Sequence, residues 1–137
     1  MKRIAAIVLL LVVVNSAMAQ AAPEGLFIAS KAPDFKAKDQ NGKELRLKDL
    51  LKTGKVVLVF YRGYWCPYCN KALARLQDSL QLIKDKGATL LAVSPEKPES
   101  ISKTTEKTKA EFSVIHDKDL KIMKAYNVAF EMEENTV

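Results

Sequence analysis

Histidine and cysteine are scarce in this sequence, and their scarcity argues against a metal centre. The 137 residues include one histidine, His116, and two cysteines, Cys66 and Cys69. A structural zinc ion takes four ligands, so the cysteines would have to share it with that histidine and a scattered carboxylate. We therefore expect no metal site and turn to the chemistry of the cysteine pair itself.

Long apolar runs are also lacking. The apolar segment Ile4 to Val14 has 11 residues, whereas a helix that crosses a bilayer needs about 20. Two basic residues precede it and Ala17-Met18-Ala19 supplies a small-residue cleavage site, so residues 1–19 are predicted to be a secretory signal peptide. Cleavage after residue 21 and an uncleaved anchor are the alternatives. We expect a mature protein that begins near Gln20, keeps no stable membrane anchor, and works in the periplasm or elsewhere outside the cytoplasm.

The sequence has no arginine-rich block, no basic run interleaved with aromatic residues and no internal repeat. Its net charge of +6 falls to +4 without the two basic residues of the signal peptide, and the lysines are spread along the chain. This pattern is typical of a solvated basic surface, so no nucleic-acid partner is predicted. About 118 residues remain after cleavage, enough for one domain. We assign residues 20–31 to a leader and residues 32–137 to that domain.

The two cysteines form a Cys-x-x-Cys motif between a predicted strand and a predicted helix. An apolar run, Val56 to Phe60, precedes the motif, and apolar residues at helical spacing follow it. Pro67 suits the first helical position, so Cys66 is the expected N-cap and Cys69 lies in the first turn. Free N–H groups and the helix dipole favour a thiolate there, and such sites lower a cysteine pKa from about 8.5 to roughly 3.5–7.5. Both cysteines are predicted catalytic residues that cycle between dithiol and disulfide.

A purely structural disulfide is the alternative for this pair. A loop with two intervening residues constrains the unfolded chain little, well below the roughly 3 kcal/mol expected for a 15-residue loop. The sequence therefore favours redox chemistry over stabilisation. A non-catalytic binding module that keeps the disulfide stays open as a second function.

The remaining pattern alternates strands and helices. Asn41-Gly42 between short apolar alternations predicts an N-terminal β-hairpin with a two-residue turn. The apolar Val56 to Tyr61 is predicted to be the central strand of a mostly parallel sheet flanked by helices, which makes the domain α/β. Met123 and Tyr126 are predicted core residues, and His116 a surface loop residue. The other predicted elements are helices at Lys48 to Lys52, Pro67 to Lys86, Pro98 to Lys109 and Leu120 to Tyr126, and strands at Thr89 to Ser94 and Phe112 to Ile115.

Four segments resemble one family in their order and spacing. They are Ala32-Pro33-Asp34-Phe35, Asn41-Gly42-Lys43, Val57 to Gly63 with Trp65 to Cys69, and Ala92-Val93-Ser94. Over about residues 32–130 they are similar to the thioredoxin-like redoxins of the alkyl hydroperoxide reductase and thiol-specific antioxidant group, which includes peroxiredoxins. The resemblance implies a thioredoxin-like fold and reduction of peroxides or disulfides through a thiol, with no cofactor. It also implies two partners, a peroxide or protein disulfide as substrate and a reductant that the sequence does not identify.

The cysteine motif differs from the peroxiredoxin pattern within this group. Carried over, the peroxide-reactive cysteine is Cys69, while Cys66 stands where peroxiredoxins have threonine or serine and Arg62 where they have proline. Trp65-Cys66 instead resembles the attacking position of thioredoxins, and Pro67-Tyr68 resembles glutaredoxins. The resemblance therefore leaves two mechanisms open. Either Cys66 attacks a substrate disulfide and Cys69 resolves it, or Cys69 attacks peroxide and Cys66 resolves the sulfenic acid.

Four neighbours of the cysteines are predicted to support the site. Arg62, at the end of the strand, is expected to stabilise a thiolate or a peroxide oxygen by its charge. Trp65 and Tyr68 are expected to line the substrate approach, and Pro67 to start the helix. An ordinary exposed arginine and aromatic packing against the sheet are the structural alternatives.

The resemblance also predicts a missing part. Thioredoxin folds add a later β-hairpin, entered through a cis-proline, that pairs with the free side of the central strand and precedes a last helix. After Tyr126 the sequence has no proline and has an acidic segment, Glu131 to Glu134. We therefore expect a C-terminally truncated fold that lacks this hairpin and helix. The central strand then keeps an unpaired apolar edge, unless another chain covers it.

Overall fold

The alternation of strands and helices expected from the sequence is present in the computed structural model, which describes residues 23–130. The predicted signal peptide, the first residues of the leader and the acidic segment at 131–134 lie outside the described residues. Within residues 23–130, no helix is both long enough and apolar enough to span a membrane.

Ten regular elements and one short 3-10 turn follow each other along the described chain. The strands are β1 (Lys36–Lys38), β2 (Glu44–Arg46), β3 (Lys55–Phe60), β4 (Ala88–Ser94) and β5 (Ser113–His116). The helices are α1 (Leu47–Thr53), α2 (Pro67–Asp78), α3 (Leu80–Asp85), α4 (Pro98–Thr108) and α5 (Lys121–Ala125), with the 3-10 turn Lys118–Leu120 before α5.

The described strands form two sheets. β1 and β2 pair antiparallel, which confirms the predicted N-terminal hairpin. β3, β4 and β5 form a parallel sheet with β4 in the middle. The prediction that residues 56–61 are the central strand is therefore wrong for the described chain, because β3 pairs with β4 alone among residues 23–130. The unpaired edge predicted for this strand is present over the same residues.

The connection between β1 and β2 is longer than the predicted two-residue turn. Residues 39–43 lie between the last paired residues of the two strands. The Asp39 carboxylate accepts hydrogen bonds from the N–H groups of Asn41 and Lys43, at 2.9 and 3.0 Å. The backbone of Asp39 also bridges to Ile115 of β5. The extra residues of the turn thus tie the hairpin to the parallel sheet.

The single helix predicted from Pro67 to Lys86 is interrupted at Ser79, whose φ of −94° and ψ of 2° leave the α-helical region. Serine favours such sites because its hydroxyl competes with helical backbone hydrogen bonds. Helical bonding continues across the break, since Ile83 N–H donates to the Ser79 carbonyl at 3.1 Å. Leu73 before the break and Leu80 after it are both buried, so α2 and α3 share the predicted apolar face.

The parallel sheet separates two apolar clusters. Alternate residues of β4 face opposite sides, so Leu90 and Ala92 join one cluster while Leu91 and Val93 join the other. The first cluster packs against helices α2, α3 and α4, and the second against the hairpin and α5. Because β3, β4 and β5 are parallel, their carboxyl ends meet at one edge of the sheet, and the two cysteines follow β3 at that edge.

The end of the described chain closes over the second cluster. Met123 is buried and Tyr126 is half-buried, as predicted for core residues. The Tyr126 ring lies 5.5 Å from the Phe60 ring and 6.4 Å from the Phe35 ring, and its hydroxyl donates to the Pro33 carbonyl at 2.9 Å. These contacts join the residue that follows α5 to β3 and to the segment before β1.

Candidate active site

The two cysteines lie at the N-terminus of α2 and are joined by a disulfide, with their Cα atoms 5.3 Å apart. Cys66 is the N-cap, with extended φ and ψ of −86° and 106°, and Pro67 is the first helical residue. This local arrangement confirms the positions predicted from the sequence. It follows from Pro67, whose fixed φ suits the first turn and whose lack of an N–H leaves no helical bond unmade.

Two donors point at the sulfur of Cys66. The Cys69 N–H lies 3.2 Å from Sγ and the Arg62 Nη2 lies 3.4 Å from it. The Arg62 guanidinium also lies 5.2 Å from the centre of the Trp65 ring, a cation–π contact that holds it near the sulfur. When the disulfide is reduced, both donors are in place to stabilise a thiolate on Cys66. The structure thus brings four of the predicted site residues together, while their roles stay predictions.

The two cysteines differ in exposure. Cys66 is completely buried, whereas Cys69 is half-buried. Trp65 and Tyr68 are 45% and 80% exposed, and they flank the cysteines at the surface. A molecule that approaches the oxidised pair therefore meets Cys69 and the aromatic side chains before Cys66. The sequence contained no signal for this difference in exposure.

The backbone of Tyr64, in the loop from β3 to α2, is held from two sides. Its N–H donates to Oε1 of Glu96 at 2.6 Å, and its carbonyl accepts from Nδ2 of Asn70 at 2.7 Å. The neighbouring Gly63 admits this arrangement, because a Cβ there would lie 2.6 Å from Glu96 Oε1 and 2.7 Å from Trp65 Nε1. The loop that carries Arg62 and Trp65 is therefore fixed to the residues after β4 and to α2.

Glu96 is a member of this site that sequence reasoning missed. Burial raises the pKa of its carboxyl group above the usual range, and the hydrogen bond from Tyr64 N–H opposes the shift. The other carboxylate oxygen is buried and accepts no hydrogen bond within the described chain. A usable signal existed, since ligands and reactive groups gather at the carboxyl ends of parallel strands and Glu96 follows β4 there.

His116 also lies at this edge of the sheet. It is the last residue of β5 and is half-buried, and its Nδ1 hydrogen-bonds the Glu96 carbonyl. The prediction of a surface loop residue is therefore wrong, because β5 extends one residue beyond its predicted end. No group of three or more metal-ligating side chains is gathered anywhere in residues 23–130.

The sequence of this chain also matches a known protein family. The profile of the AhpC/TSA family matches residues 28–137 of the sequence. The chain belongs to the AhpC/TSA family. The resemblance inferred from its four motifs is thereby confirmed.

Relatives of this AhpC/TSA-family chain have two kinds of name. It is 32% identical over 102 residues to thiol-disulfide oxidoreductase ResA of Geobacillus kaustophilus, covering 74% of this chain and 58% of that protein. It is 30% identical over 97 residues to peroxiredoxin Bcp of Escherichia coli, covering 71% of this chain and 62% of that protein. The chain thus spans about three fifths of the length of these curated relatives.

Solved structures confirm the thioredoxin-like fold of this family member. The peroxidoxin BcpB of Mycobacterium tuberculosis matches with a TM-score of 0.70 and 23% identity, over 82% of this chain and 70% of that one. The thioredoxin domain of a thiol-disulfide oxidoreductase from Bacteroides vulgatus matches with a TM-score of 0.65 and 26% identity, over 77% and 76%.

Proposed function

We propose that this chain is a thiol-disulfide oxidoreductase that acts outside the cytoplasm by cycling Cys66 and Cys69 between disulfide and dithiol. The observation that carries the proposal is the cysteine pair at the start of α2, with two donors on the Cys66 sulfur. The relative named thiol-disulfide oxidoreductase supports it, and the predicted signal peptide supports the location. The catalytic roles of Cys66 and Cys69, and the supporting roles of Arg62, Trp65, Pro67 and Tyr68, are parts of this proposal.

The reduction of a substrate consumes the dithiol. A thiolate of the reduced pair attacks one sulfur of the substrate disulfide, forms a mixed disulfide and releases the first substrate thiolate. The other cysteine then attacks the enzyme sulfur of the mixed disulfide and releases the second substrate thiolate. Two electrons and two protons pass to the substrate, and the enzyme is left with the Cys66–Cys69 disulfide.

The return step needs an external dithiol reductant. The exposure of the two cysteines favours one order in which bonds form and break. The thiolate of the reductant attacks the sulfur of Cys69, the more exposed of the two residues, and Cys66 departs as a thiolate. The donors from Arg62 and from Cys69 N–H stabilise this leaving group, and a thiol of low pKa leaves faster. The second thiol of the reductant then frees Cys69 and becomes oxidised.

Peroxide reduction is a second candidate, and the greater exposure of Cys69 favours it. In this reaction the Cys69 thiolate attacks a peroxide oxygen, becomes a sulfenic acid and releases an alcohol or water. The Cys66 thiolate attacks the sulfenic sulfur, which forms the disulfide and releases water. The relative named peroxiredoxin supports this candidate.

Stopped-flow fluorescence of Trp65, the one tryptophan in the sequence, separates the candidates. Reduced protein is mixed with hydroxyethyl disulfide or with hydrogen peroxide, and the rates are compared with those of a free thiol. We expect a faster reaction with the disulfide, and trapping of the mixed disulfide on the remaining cysteine in Cys66→Ser and Cys69→Ser variants. A fast reaction with peroxide alone that Cys69→Ser abolishes would establish the second candidate. Rates no better than a free thiol with both oxidants would contradict both and favour a non-catalytic binding module.

A further inference from the structure

A patch of aromatic and basic side chains lies beside the loop and the helix start that carry the cysteine pair. We name it the aromatic–lysine surface, and its members are Tyr64, Trp65, Tyr68, Lys103 and Lys107. The three rings are 37%, 45% and 80% exposed, in that order, and both lysines are exposed. Large exposed rings are favourable anchors for a protein partner, since they bury much area and lose little side-chain entropy.

The two lysines belong to α4 and are one helical turn apart. The Lys103 and Lys107 Nζ atoms lie 5.9 and 5.3 Å from the centre of the Tyr64 ring. These cation–π contacts hold two positive charges beside the active-site loop. Neither lysine forms an ion pair with any acidic residue of the described chain. Glu99 and Glu106 are also exposed on α4, four and three residues from Lys103, but neither forms an ion pair with the two lysines, so both positive charges are available to a partner.

The acidic residue that contacts this surface is turned away from it. Glu96 Oε1 accepts from the Tyr64 N–H, and Oε2 is buried. The carboxylate of Glu96 therefore does not neutralise the exposed charges of the two lysines.

From this surface we infer the substrate class: proteins whose disulfide is flanked by acidic side chains. The inference rests on the proposed disulfide exchange. A bound segment would place its cysteine at Cys69, its apolar atoms on the aromatic rings and its carboxylates beside Lys103 and Lys107. A peroxide is too small to contact both the rings and the lysines, and a nucleic acid brings no disulfide to the cysteine pair.

The test compares two peptide disulfides of equal length, one with glutamate and one with lysine on both sides of the cysteine. Hydroxyethyl disulfide serves as the uncharged reference substrate. The Lys103→Glu/Lys107→Glu variant is compared with Lys84→Glu/Lys86→Glu, a control that changes the net charge equally at the far end of α3, where both lysines are exposed. Rates are measured at low ionic strength and again at high ionic strength, where surface charge interactions are screened.

We expect the unmodified protein to reduce the acidic peptide about 5- to 20-fold faster than the basic one at low ionic strength, and this ratio to shrink with salt. The Lys103→Glu/Lys107→Glu variant should reverse the preference and leave the rate with hydroxyethyl disulfide unchanged. The control variant should keep the preference.

Equal rates with the two peptides, or the same loss of preference in the control variant, would overturn the substrate assignment while leaving the disulfide exchange standing. Failure of the unmodified protein to reduce hydroxyethyl disulfide would overturn the proposed function and the substrate assignment with it. A fall in the rate with the uncharged substrate in the Lys103→Glu/Lys107→Glu variant would show that the lysines act on the cysteine pair rather than on the substrate, and would also overturn the assignment.

Discussion

Arg62 is a residue through which the electrostatics of Cys66 can be changed without substituting a cysteine. Its Nη2 lies 3.4 Å from the Cys66 sulfur. In a Cys69→Ser background, Arg62→Met should slow the alkylation of Cys66 at about pH 6 by roughly 3- to 10-fold, because the thiolate loses a cationic donor. The rate of iodoacetamide labelling as a function of pH measures this effect.

The matched control for that experiment is Arg75→Met, which removes the same charge from an exposed position on α2. It should leave the labelling profile of Cys66 unchanged. Equal profiles for Arg62→Met and the parent variant would contradict the role of Arg62 and leave the helix N-terminus as the source of thiolate stabilisation.

Glu96 predicts a pH dependence of stability. Because burial raises its pKa in the folded protein above the usual 4.5, the folded state binds this proton more tightly than the unfolded chain. The resulting contribution to stability is complete below the unfolded pKa and is lost as the pH rises through the folded pKa. Glu96→Gln keeps an oxygen that can accept from Tyr64 N–H, but its side chain does not titrate. Because only the parent loses this contribution, the free energy of unfolding of the variant minus that of the parent should increase as the pH rises.

Urea unfolding of both proteins at about pH 4, 5.5 and 7 measures that difference. The free energy of unfolding of the variant minus that of the parent should have its lowest value at about pH 4. A constant difference across these pH values would show that the carboxyl group titrates alike in the folded and unfolded states.

At the scale of the elements, Asp117 organises the turn from β5 into α5. It is 2% exposed, and its two carboxylate oxygens accept from the N–H groups of Ile122 and Met123, at 2.9 and 2.8 Å. Asp117→Ala leaves both donors buried without a partner, so it should lower the free energy of unfolding by about 2 kcal/mol. Chemical denaturation followed by circular dichroism checks this value.

Asp119→Asn is the control, since it removes one negative charge at an exposed position two residues away. Asparagine also tolerates the left-handed conformation of residue 119, where φ is 63°. The free energy of unfolding of Asp119→Asn should stay within about 0.5 kcal/mol of that of the parent protein. An equal loss for both variants would mean that charge rather than capping explains the effect.

Structural elements that are determined by residues close together in the sequence could be predicted well. Pro67 and the leucines behind it identify a helix, its first residue and its buried face, and all three predictions are confirmed. The break at Ser79 could not be predicted, because a serine in the middle of an apolar helical pattern is compatible with a continuous helix. The five-residue connection of the hairpin is held by hydrogen bonds of Asp39 with Asn41, Gly42 and Lys43, and Asp39 also bridges to Ile115, a contact between distant parts of the chain.

The same distinction holds for the candidate site. The cysteines and Arg62 lie in one short segment, and their proximity follows from the strand-to-helix turn. Glu96 reaches this segment from 32 residues away, through the loop after β4. Its position after β4 indicates the edge of the sheet at which Glu96 lies but not the loop that it will contact, so its place in the site depends on the strand order of the folded sheet.

For the whole molecule, the sequence predicted the fold class and the family but not the order of the strands. An apolar run such as that of β3 is compatible with a central or an edge position, because either position buries side chains on both faces of the sheet. The pairing partners decide between them, and these are properties of the complete sheet. The AhpC/TSA match and the structural neighbours agree with the predicted thioredoxin-like fold.

The unpaired edge of β3 should also affect the rates at which its backbone amides exchange with solvent. Lys55 donates its N–H to the carbonyl of Gly87, just before β4, and Tyr61 donates to the carbonyl of Val93 in β4, and peptide groups alternate in direction along a strand. The N–H groups that point to the free edge belong to Val56, Leu58 and Phe60. Hydrogen–deuterium exchange should therefore alternate along β3, fast at these three residues and slow at those between them. Loss of the alternation in any larger assembly would report that a further strand has docked there.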